Sequence, residues 1–220
     1  MKRKIPLVNG EVYHILSKSI AGYEIFNTQA DYLRMMHLLR YYQKETKMRF
    51  SDFLLLKGIR TGFNACFAEF NADKNDLVQI IAYCLMPTHF HLILKQLENN
   101  GISKFIGNIL NSYSRYFNVK HKRRGPLWEA KFKNVLIEND EQILHLTRYI
   151  HSNPTTALLV EKPEKWLYSS YKEYLETSEE LALCNYKNII DIEPKSYRKF
   201  VNNRISYQRE LAKIKTQMLD

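Results

Sequence analysis

The chain has 220 residues, of which 45% are hydrophobic and 25% are charged, a composition typical of a globular protein. Seven glycines and six prolines exclude collagen-like and low-complexity chains. Lysine and arginine total 33 against 23 acidic residues, and the resulting net charge of +10 favours a polyanionic partner such as a nucleic acid.

The cysteines and the apolar runs indicate the cellular compartment of the protein. Cys66, Cys84 and Cys184 are widely spaced and form no C-x-x-C pair, which argues against a disulfide framework and a cysteine zinc site. The longest apolar run, residues 80–86, is too short to span a membrane, and polar residues 9–11 interrupt any signal peptide. We therefore expect a cytoplasmic protein with no membrane partner.

The first part of the chain predicts a strand and then a helix. Residues 12–20 are rich in β-branched and aromatic residues and stop before Gly22, as expected for a strand. After a capping position at 27–28, apolar residues recur at helical spacing and predict a helix over 29–44. Residues 46–76 show mixed apolar clusters, and we interpret them as a variable insertion.

Two strands and a long helix are predicted next. Residues 78–86 are almost continuously apolar, which is typical of a buried strand. A Pro-Thr pair breaks this run, and the alternation over 89–95 predicts a second strand that pairs with the first as an antiparallel hairpin. The helix is indicated by one apolar stripe, which consists of Ile102, Phe105, Ile106, Ile109, Leu110, Tyr113 and Phe117.

The rest of the chain predicts one more strand and two helices. Residues 134–138 are typical of a short strand, and a capped helix follows over about 140–152, where Pro154 ends or kinks it. Basic residues predominate over 195–215 and predict a basic terminal helix.

The order of these elements predicts the fold class. Strand, helix, strand, strand, helix, strand, helix is typical of an α+β fold, with helices packed on a ferredoxin-like or RRM-like antiparallel sheet. We expect the main domain to occupy residues 1–160, and a C-terminal extension with a basic helix to occupy residues 161–220.

The sharpest local motif is a pair of histidines in the second strand of the hairpin. His89 and His91 are two residues apart, so their side chains point to the same face of a strand and could share one metal ion. The alternative is an ordinary pair of polar residues on a half-exposed sheet face, because short motifs of this kind often occur by chance.

A tyrosine on the following helix is the second candidate. Tyr149 lies off the apolar stripe of its helix, and Asn153 lies one turn later on the same side. Tyr149 could equally be a boundary aromatic residue with its hydroxyl in water, since the chain has 15 tyrosines.

A basic stretch over residues 115–133 is the third candidate, with seven cations and one acid interleaved with aromatic residues. Such a pattern suits single-stranded nucleic acid, because cations follow phosphates and rings stack on bases. The alternative is a solvated loop with anchoring aromatic residues. The residues that could bind DNA are Arg115, Tyr116, Lys120, Lys122, Arg123, Arg124, Trp128, Lys131 and Lys133.

Two blocks of sequence together resemble a known family. The run YCLMPTHFHLIL over 83–94 resembles the signature of the HUH single-tyrosine transposases of the insertion-sequence, or IS200-like, type, and is closest to the REP-associated tyrosine transposases. Residues 86–92 match the family pattern M-P-x-H-h-H-L, where h is hydrophobic. The block RYIHSNP over 148–154 resembles the segment that holds the family's nucleophilic tyrosine. Similar blocks extend the resemblance over most of residues 12–175.

The resemblance implies a mechanism for the domain over residues 1–160. His89 and His91 would bind a divalent metal, Mg²⁺ or Mn²⁺, and Asn153 would complete the metal site. Tyr149 would attack a DNA phosphodiester and form a 5′-phosphotyrosine. The implied protein is a single-stranded DNA endonuclease and strand transferase that acts on hairpin or palindromic DNA, as a monomer or a homodimer.

Two other functions remain open from the sequence. A domesticated member of the family could bind hairpin DNA without cutting it, although a pure binder would need neither the histidine pair nor the tyrosine. An RRM-like RNA-binding module would also suit the sheet topology, but the aromatic motif of such modules is not evident.

Overall fold

A computed structural model describes residues 5–56, 67, 70, 73–129, 131–178 and 182–204. Its strands are β1 (Val12–Lys18), β2 (Val78–Met86), β3 (His89–Gln96) and β4 (Lys133–Ile137). Its helices are α1 (Gln29–Tyr42), α2 (Phe50–Phe53), α3 (Gly101–Lys120), α4 (Asp140–Thr156), α5 (Tyr171–Tyr174) and α6 (Pro194–Asn202).

The four strands form one antiparallel sheet in the order β2-β3-β1-β4. Helix α1 comes between β1 and β2, and α3 comes between β3 and β4, which is the βαββαβ order of a ferredoxin-like sheet. The predicted fold class is therefore confirmed. Strand β3 lies inside the sheet between β2 and β1, so its backbone is held on both sides.

Helices cover both faces of this sheet. Phe90 of β3 packs in a core with α1 and α3 on one face. Ile93 of β3 packs with Ile150 of α4 in a second core on the other face. Because side chains alternate along a strand, His89 and His91 share the face of Ile93 and lie on the α4 side of the sheet.

The segment after α4 covers the outer edge of β2. The backbone N–H of Leu85 donates to the Tyr168 carbonyl at 2.9 Å, and that of Ser170 donates to the Tyr83 carbonyl at 3.0 Å. These bonds satisfy backbone groups that an edge strand would otherwise leave unpaired. The described part of the predicted extension thus contributes to the sheet and its second core, and the boundary at residue 160 stays a prediction.

Helix α4 continues through Pro154, so the predicted end of the helix at this proline is wrong. The backbone N–H of Ala157 donates to the Asn153 carbonyl at 2.9 Å, and that of Leu159 donates to the Pro154 carbonyl at 3.0 Å. A proline has no backbone N–H to donate. Near the end of a helix this removes one hydrogen bond, and the N–H groups of the following residues still donate.

Two predicted segments lie partly outside the described residues. Within 46–76, interpreted as an insertion, α2 buries Phe50 in the first core, whereas residues 57–66 are outside the description. The first part of the basic helix predicted over 195–215 is present as α6, which ends at Asn202, and residues 205–220 are outside the description. Within the described ranges, no helix combines the length and the apolar character needed to cross a membrane.

Candidate active site

Strand β3 presents the two motif histidines to the α4 side of the sheet, as the alternation predicts. The ring centroids of His89 and His91 are 5.0 Å apart, and the rings are nearly perpendicular. His91 is only 3% exposed, whereas His89, at the first position of the strand, is half-buried. The central strand therefore holds both rings in fixed positions at the rim of the second core.

A third histidine, which the sequence reasoning missed, comes from β1. His14 Nε2 lies 2.9 Å from His91 Nδ1, and the two rings are stacked with their centroids 5.2 Å apart. The antiparallel register pairs Leu16 with His91 and His14 with Ile93, so the two histidines are diagonal neighbours on one face. No signal within the VYHILSK strand distinguishes this histidine, because its role depends on how β1 pairs with β3.

Each motif histidine uses Nδ1 in a hydrogen bond. His91 Nδ1 is engaged by His14, and His89 Nδ1 lies 2.9 Å from Thr88 Oγ1. Neither Nε2 atom has a hydrogen-bond partner within the part of the chain that the structure describes. This pattern, with one ring nitrogen oriented and the other left for a ligand, is the usual arrangement of metal-binding histidines.

Burial keeps these histidines neutral. It lowers the pKa of His91 to about 3, with smaller contributions from His14, His89 and the cation of Lys18. Burial also lowers the pKa of His89 to about 4, again with a contribution from Lys18, and the pKa of His14 to about 4. All three rings therefore have an unprotonated nitrogen at neutral pH, which metal ligation requires.

Tyr149 reaches the histidines from α4. Its ring centroid is 5.6 Å from that of His91, with the rings nearly perpendicular, and the side chain is 46% exposed. The helix turns Ile143 and Ile150 into the second core, so Tyr149 lies at the margin of the buried face. The structure thus combines the two motifs, which are about 60 residues apart in the sequence, into one cluster.

A cavity of about 370 Å³ opens beside Tyr149, between α4 and β4. Val135 and Leu146 give it apolar walls, while His14 and Gln142 contribute polar groups. The cavity is open to solvent beside the exposed edge of Tyr149.

A buried histidine two residues after Tyr149 fixes the position of α4. His151 Nδ1 lies 2.6 Å from the Tyr197 hydroxyl of α6, and His151 Nε2 lies 2.7 Å from Ser170 Oγ. The same Ser170 oxygen accepts from the backbone N–H of Tyr83 on β2. His151 therefore links the helix that carries Tyr149 to the sheet and to the last described helix.

Asn153, the third predicted ligand, lies one turn after Tyr149 on α4 and is half-buried. Among the described residues, no group of three or more His, Cys, Asp or Glu side chains has the geometry to hold a metal ion. His14 is therefore a neighbour of His91 and not a ready third ligand. Any ion on His89 and His91 would need oxygen ligands, such as an amide, water or a phosphate.

The structure divides the basic stretch into residues with internal partners and residues without them. Lys120 Nζ lies 2.7 Å from Asp31 Oδ1, and the Tyr116 hydroxyl donates to the same oxygen at 2.9 Å. Arg123 donates to the Asn118 side chain and, at 2.7 Å, to the Pro126 carbonyl. Lys120, Tyr116 and Arg123 therefore already have hydrogen-bond partners within the protein.

Trp128 is also an internal residue. Its Nε1 donates to the Leu110 carbonyl at 3.2 Å, and its ring packs against Phe90 and Tyr113. This side chain anchors the loop, as expected if the stretch is a solvated loop with anchoring aromatic residues. The remaining predicted DNA-binding residues are exposed and form no ion pair with any described acid; they are Arg115, Lys122, Arg124, Lys131 and Lys133.

The family comparison covers the motif residues. A family model described as "Transposase IS200 like" matches residues 46–153. The match includes both motif histidines and Tyr149 and ends at Asn153, whereas His14 on β1 precedes it. The segment 46–76, interpreted as an insertion, lies within the match.

Individual relatives agree with this match. A protein named as a REP-associated tyrosine transposase from Haemophilus influenzae is 27% identical over 103 residues, which cover 42% of this chain and 58% of that protein. A solved structure of a REP-associated tyrosine transposase bound to a REP hairpin has a TM-score of 0.53 at 14% identity, over 88% of this chain and 99% of the other. The structural similarity establishes a shared fold.

Proposed function

We propose that the chain is a DNA-cleaving enzyme of the IS200-like transposase family, whose model matches residues 46–153, and that Tyr149 is its nucleophile. The observation that carries the proposal is the position of Tyr149, whose ring lies 5.6 Å from His91 and is nearly half exposed. A tyrosine that served only packing would not need to leave its ring open to solvent beside two neutral histidines.

The reaction needs few protein groups. The Tyr149 hydroxyl gives up its proton to solvent as its oxygen attacks the phosphorus of a phosphodiester, and the bond from phosphorus to the 3′ oxygen breaks. The leaving oxygen takes up a proton as a 3′-hydroxyl, while the 5′-phosphate stays on Tyr149. The intermediate is still a phosphodiester, now between Tyr149 and the 5′ end of the DNA. A DNA 3′-hydroxyl can therefore attack it later and join two strands without an external energy source.

The resemblance to this family implies a divalent metal, and the residues present include side chains that could bind one. His89 and His91 are kept neutral by burial, and Asn153 would contribute an amide oxygen from the helix that carries Tyr149. When bound, Mg²⁺ or Mn²⁺ would act as a Lewis acid on the scissile phosphate. His14 would orient the His91 ring by accepting its Nδ1 proton.

The proposed substrate is single-stranded DNA that carries a hairpin. A protein of similar fold has been solved with a REP hairpin, and the net charge of +10 favours a polyanion. The exposed cations Lys122, Arg124, Lys131 and Lys133, which lie after α3 and at the start of β4, would hold the phosphates of its single-stranded part. The cavity beside Tyr149 would receive the nucleotides at the cleavage position.

The RNA-binding alternative is disfavoured by the covering of the sheet. RRM modules stack bases on the open face of a four-stranded sheet. Here α1 and α3 cover one face and α4 covers the other, with β3 side chains buried on both sides. Binding of hairpin DNA without cleavage remains the second candidate function, since the exposed cations alone would support it.

A covalent-adduct assay tests the proposal. The protein is incubated with hairpin DNA that has single-stranded flanks and a label at its 3′ end, with Mn²⁺ or with EDTA, and is then resolved by denaturing electrophoresis. We expect a labelled protein band and a new 3′-hydroxyl end with Mn²⁺, and neither with EDTA. A gel shift with the same DNA but no labelled band under any metal condition would identify a binding protein.

A further inference from the structure

A second charged feature lies on the opposite side of the sheet from Tyr149. A groove of about 520 Å³ opens among α1, α3 and the segment leading into α2, and we call it the helix-face groove. Its lining includes six residues with cationic, amide or hydroxyl groups, which are Arg34, Arg49, Asn108, Asn111, Ser112 and Arg115. The sequence reasoning selected only the last of these six.

Arg34 is held in the groove by aromatic rings and not by an acid. Its guanidinium carbon lies 4.5 Å from the ring centroid of Phe50 and 5.1 Å from that of Tyr116. Its Nε is buried and has no hydrogen-bond partner among the described residues. Burial lowers the pKa of this guanidinium, because a buried cation without a counter-charge is unfavourable. An anionic ligand would remove that penalty.

Two more guanidinium groups face the same space. Arg49 and Arg115 are exposed, and neither forms an ion pair with an acidic residue in the described ranges. The contrast is Lys120 at the end of the groove, which Asp31 neutralises at 2.7 Å. Arginine is the cation best suited to phosphate, since its planar group donates two parallel hydrogen bonds.

Helix α3 adds uncharged donors along one side. Asn108, Asn111, Ser112 and Arg115 follow each other at spacings of three, one and three residues, so they form one polar stripe on the helix surface. Amide and hydroxyl groups of this kind commonly contact phosphate and sugar oxygens in protein–DNA interfaces.

Among the described residues that line the groove, no aromatic ring has a face open for stacking. The rings of Phe50 and Tyr116 are covered by Arg34, and Tyr42 is 5% exposed, with its hydroxyl accepting from the Phe50 backbone. Surfaces that bind single strands use open rings on which bases stack. Charge and hydrogen-bond donors without rings suit the sugar-phosphate backbone of a duplex.

We propose that the helix-face groove binds backbone phosphates of the double-stranded stem of the hairpin substrate. The inference rests on the proposed function and adds a second contact surface on the far side of the sheet. The described residues between the end of α3 and the start of β4, 121–129 and 131–132, lie between the two surfaces and include the exposed Lys122, Arg124 and Lys131. In this arrangement the stem lies on the face of the sheet that α1 and α3 cover. Its single-stranded flank passes the β4 edge of the sheet to reach Tyr149 on the other face.

Paired substitutions test the groove. In the Arg49→Gln, Arg115→Gln double variant, two exposed cations are removed without disturbing the buried Arg34. We expect its affinity for the hairpin to fall about 10-fold, and the slope of log affinity against log salt to fall by about 1.8, which is about 0.9 for each lost duplex phosphate contact. The matched control is Lys162→Gln, Lys165→Gln, which removes the same charge from exposed residues outside the groove and should leave both values unchanged.

A stemless oligonucleotide with the same cleavage sequence separates the outcomes. The double variant should bind it, and form adduct on it, as the wild type does. Equal losses on the hairpin and on the stemless strand would overturn the assignment to the stem, and a hairpin affinity and salt slope equal to those of the control variant would overturn the groove altogether. If the wild type binds the hairpin but forms no adduct, the cleavage proposal fails while the groove is still judged by hairpin affinity. A wild type that binds no hairpin overturns both.

Discussion

The two faces of the sheet differ in how their functional groups are held. On the α4 side, His14 and Tyr149 lie 5.2 Å and 5.6 Å from His91, ring to ring, and burial removes the charge of the histidines. On the side that α1 and α3 cover, Arg34 and Arg115 are cations that have no acidic partner among the described residues. Breaking a bond depends on a few atoms at fixed distances, whereas holding a polyanion depends on the number of cations. Substitutions on the two faces should therefore separate cleavage from binding.

The largest effect is expected at the centre of the α4 side. His91→Ala should reduce the rate of DNA cleavage by at least about 100-fold, since even outer partners of metal ligands contribute 10-fold to 100-fold. Its affinity for the hairpin should stay within about threefold of the wild type, because the phosphate contacts supply most of the binding free energy. Single-turnover cleavage and gel-shift titrations measure the two quantities. The exposed His121→Ala variant is the control and should cleave normally; a His91→Ala variant that does the same would remove His91 from the reaction.

The next effect concerns the histidine that orients His91. His14→Leu should lower the affinity for Mn²⁺ by 10-fold to 100-fold, because the ring of His91 loses the acceptor for its Nδ1 proton. His14→Gln offers a side-chain oxygen in its place and should recover most of that affinity. Calorimetric titration with the metal alone measures both variants without DNA. Equal Mn²⁺ affinities for the leucine variant and the wild type would show that His14 only packs.

These residues also show what the sequence could predict. The alternation of β3 predicts that His89 and His91 share a face, and the apolar stripe of α4 predicts that Tyr149 lies off the core, because both follow from local periodicity. The role of His14 could not be predicted, since it depends on the register between β1 and a strand about 75 residues later. For the same reason, no local signal indicates that Asp31 neutralises Lys120.

The basic stretch over residues 115–133 shows a second limit of prediction from the sequence. Its alternation of cations and rings predicts DNA binding uniformly, yet Trp128 is an anchor that packs on Phe90 and donates to a backbone carbonyl. Arg34 and Arg49, which lie outside the stretch, line the charged groove instead. Composition predicts the sign of the surface, and tertiary packing decides which of its cations are available.

The α4 side should also be the pH-sensitive side of the fold. Burial lowers the pKa of His151 to about 3, from about 6.5 in an unfolded chain. The unfolded state therefore binds the proton first as the pH falls, and the stability contributed by neutral His151 is complete above about pH 6.5 and is lost between there and pH 3. We expect His151 to account for a fall of about 2 kcal/mol in the free energy of unfolding between pH 7 and pH 5.

Urea unfolding at the two pH values measures this fall. His151→Gln should be less stable at pH 7, because it leaves partners such as Ser170 less well bonded, but its stability should change less with pH. The other buried histidines act in the same direction and will leave a residual dependence. An unchanged pH dependence in the variant would show that His151 does not stay neutral in the fold.

The smallest effect distinguishes free from neutralised cations in the basic stretch. Lys122→Gln with Arg124→Gln should flatten the salt dependence of binding to single-stranded DNA by about 1.4, or about 0.7 per contact. Lys120→Gln should change the slope by less than one contact, because Asp31 already pairs with this lysine. Fluorescence anisotropy across a salt series measures the slopes. A larger change for Lys120→Gln than for the pair would reverse the division of the stretch into free and internal residues.

The identity of the nucleophile is tested most directly by locating the covalent bond. The wild-type adduct with labelled hairpin DNA is digested, and the peptide that retains the nucleotide is sequenced by mass spectrometry. We expect the phosphate on Tyr149, no adduct in Tyr149→Phe, and a normal adduct in Tyr116→Phe, whose hydroxyl donates to Asp31 on the other face. A nucleotide attached to Tyr116, or an adduct that persists in Tyr149→Phe, would contradict the assignment of the α4 side as the active site.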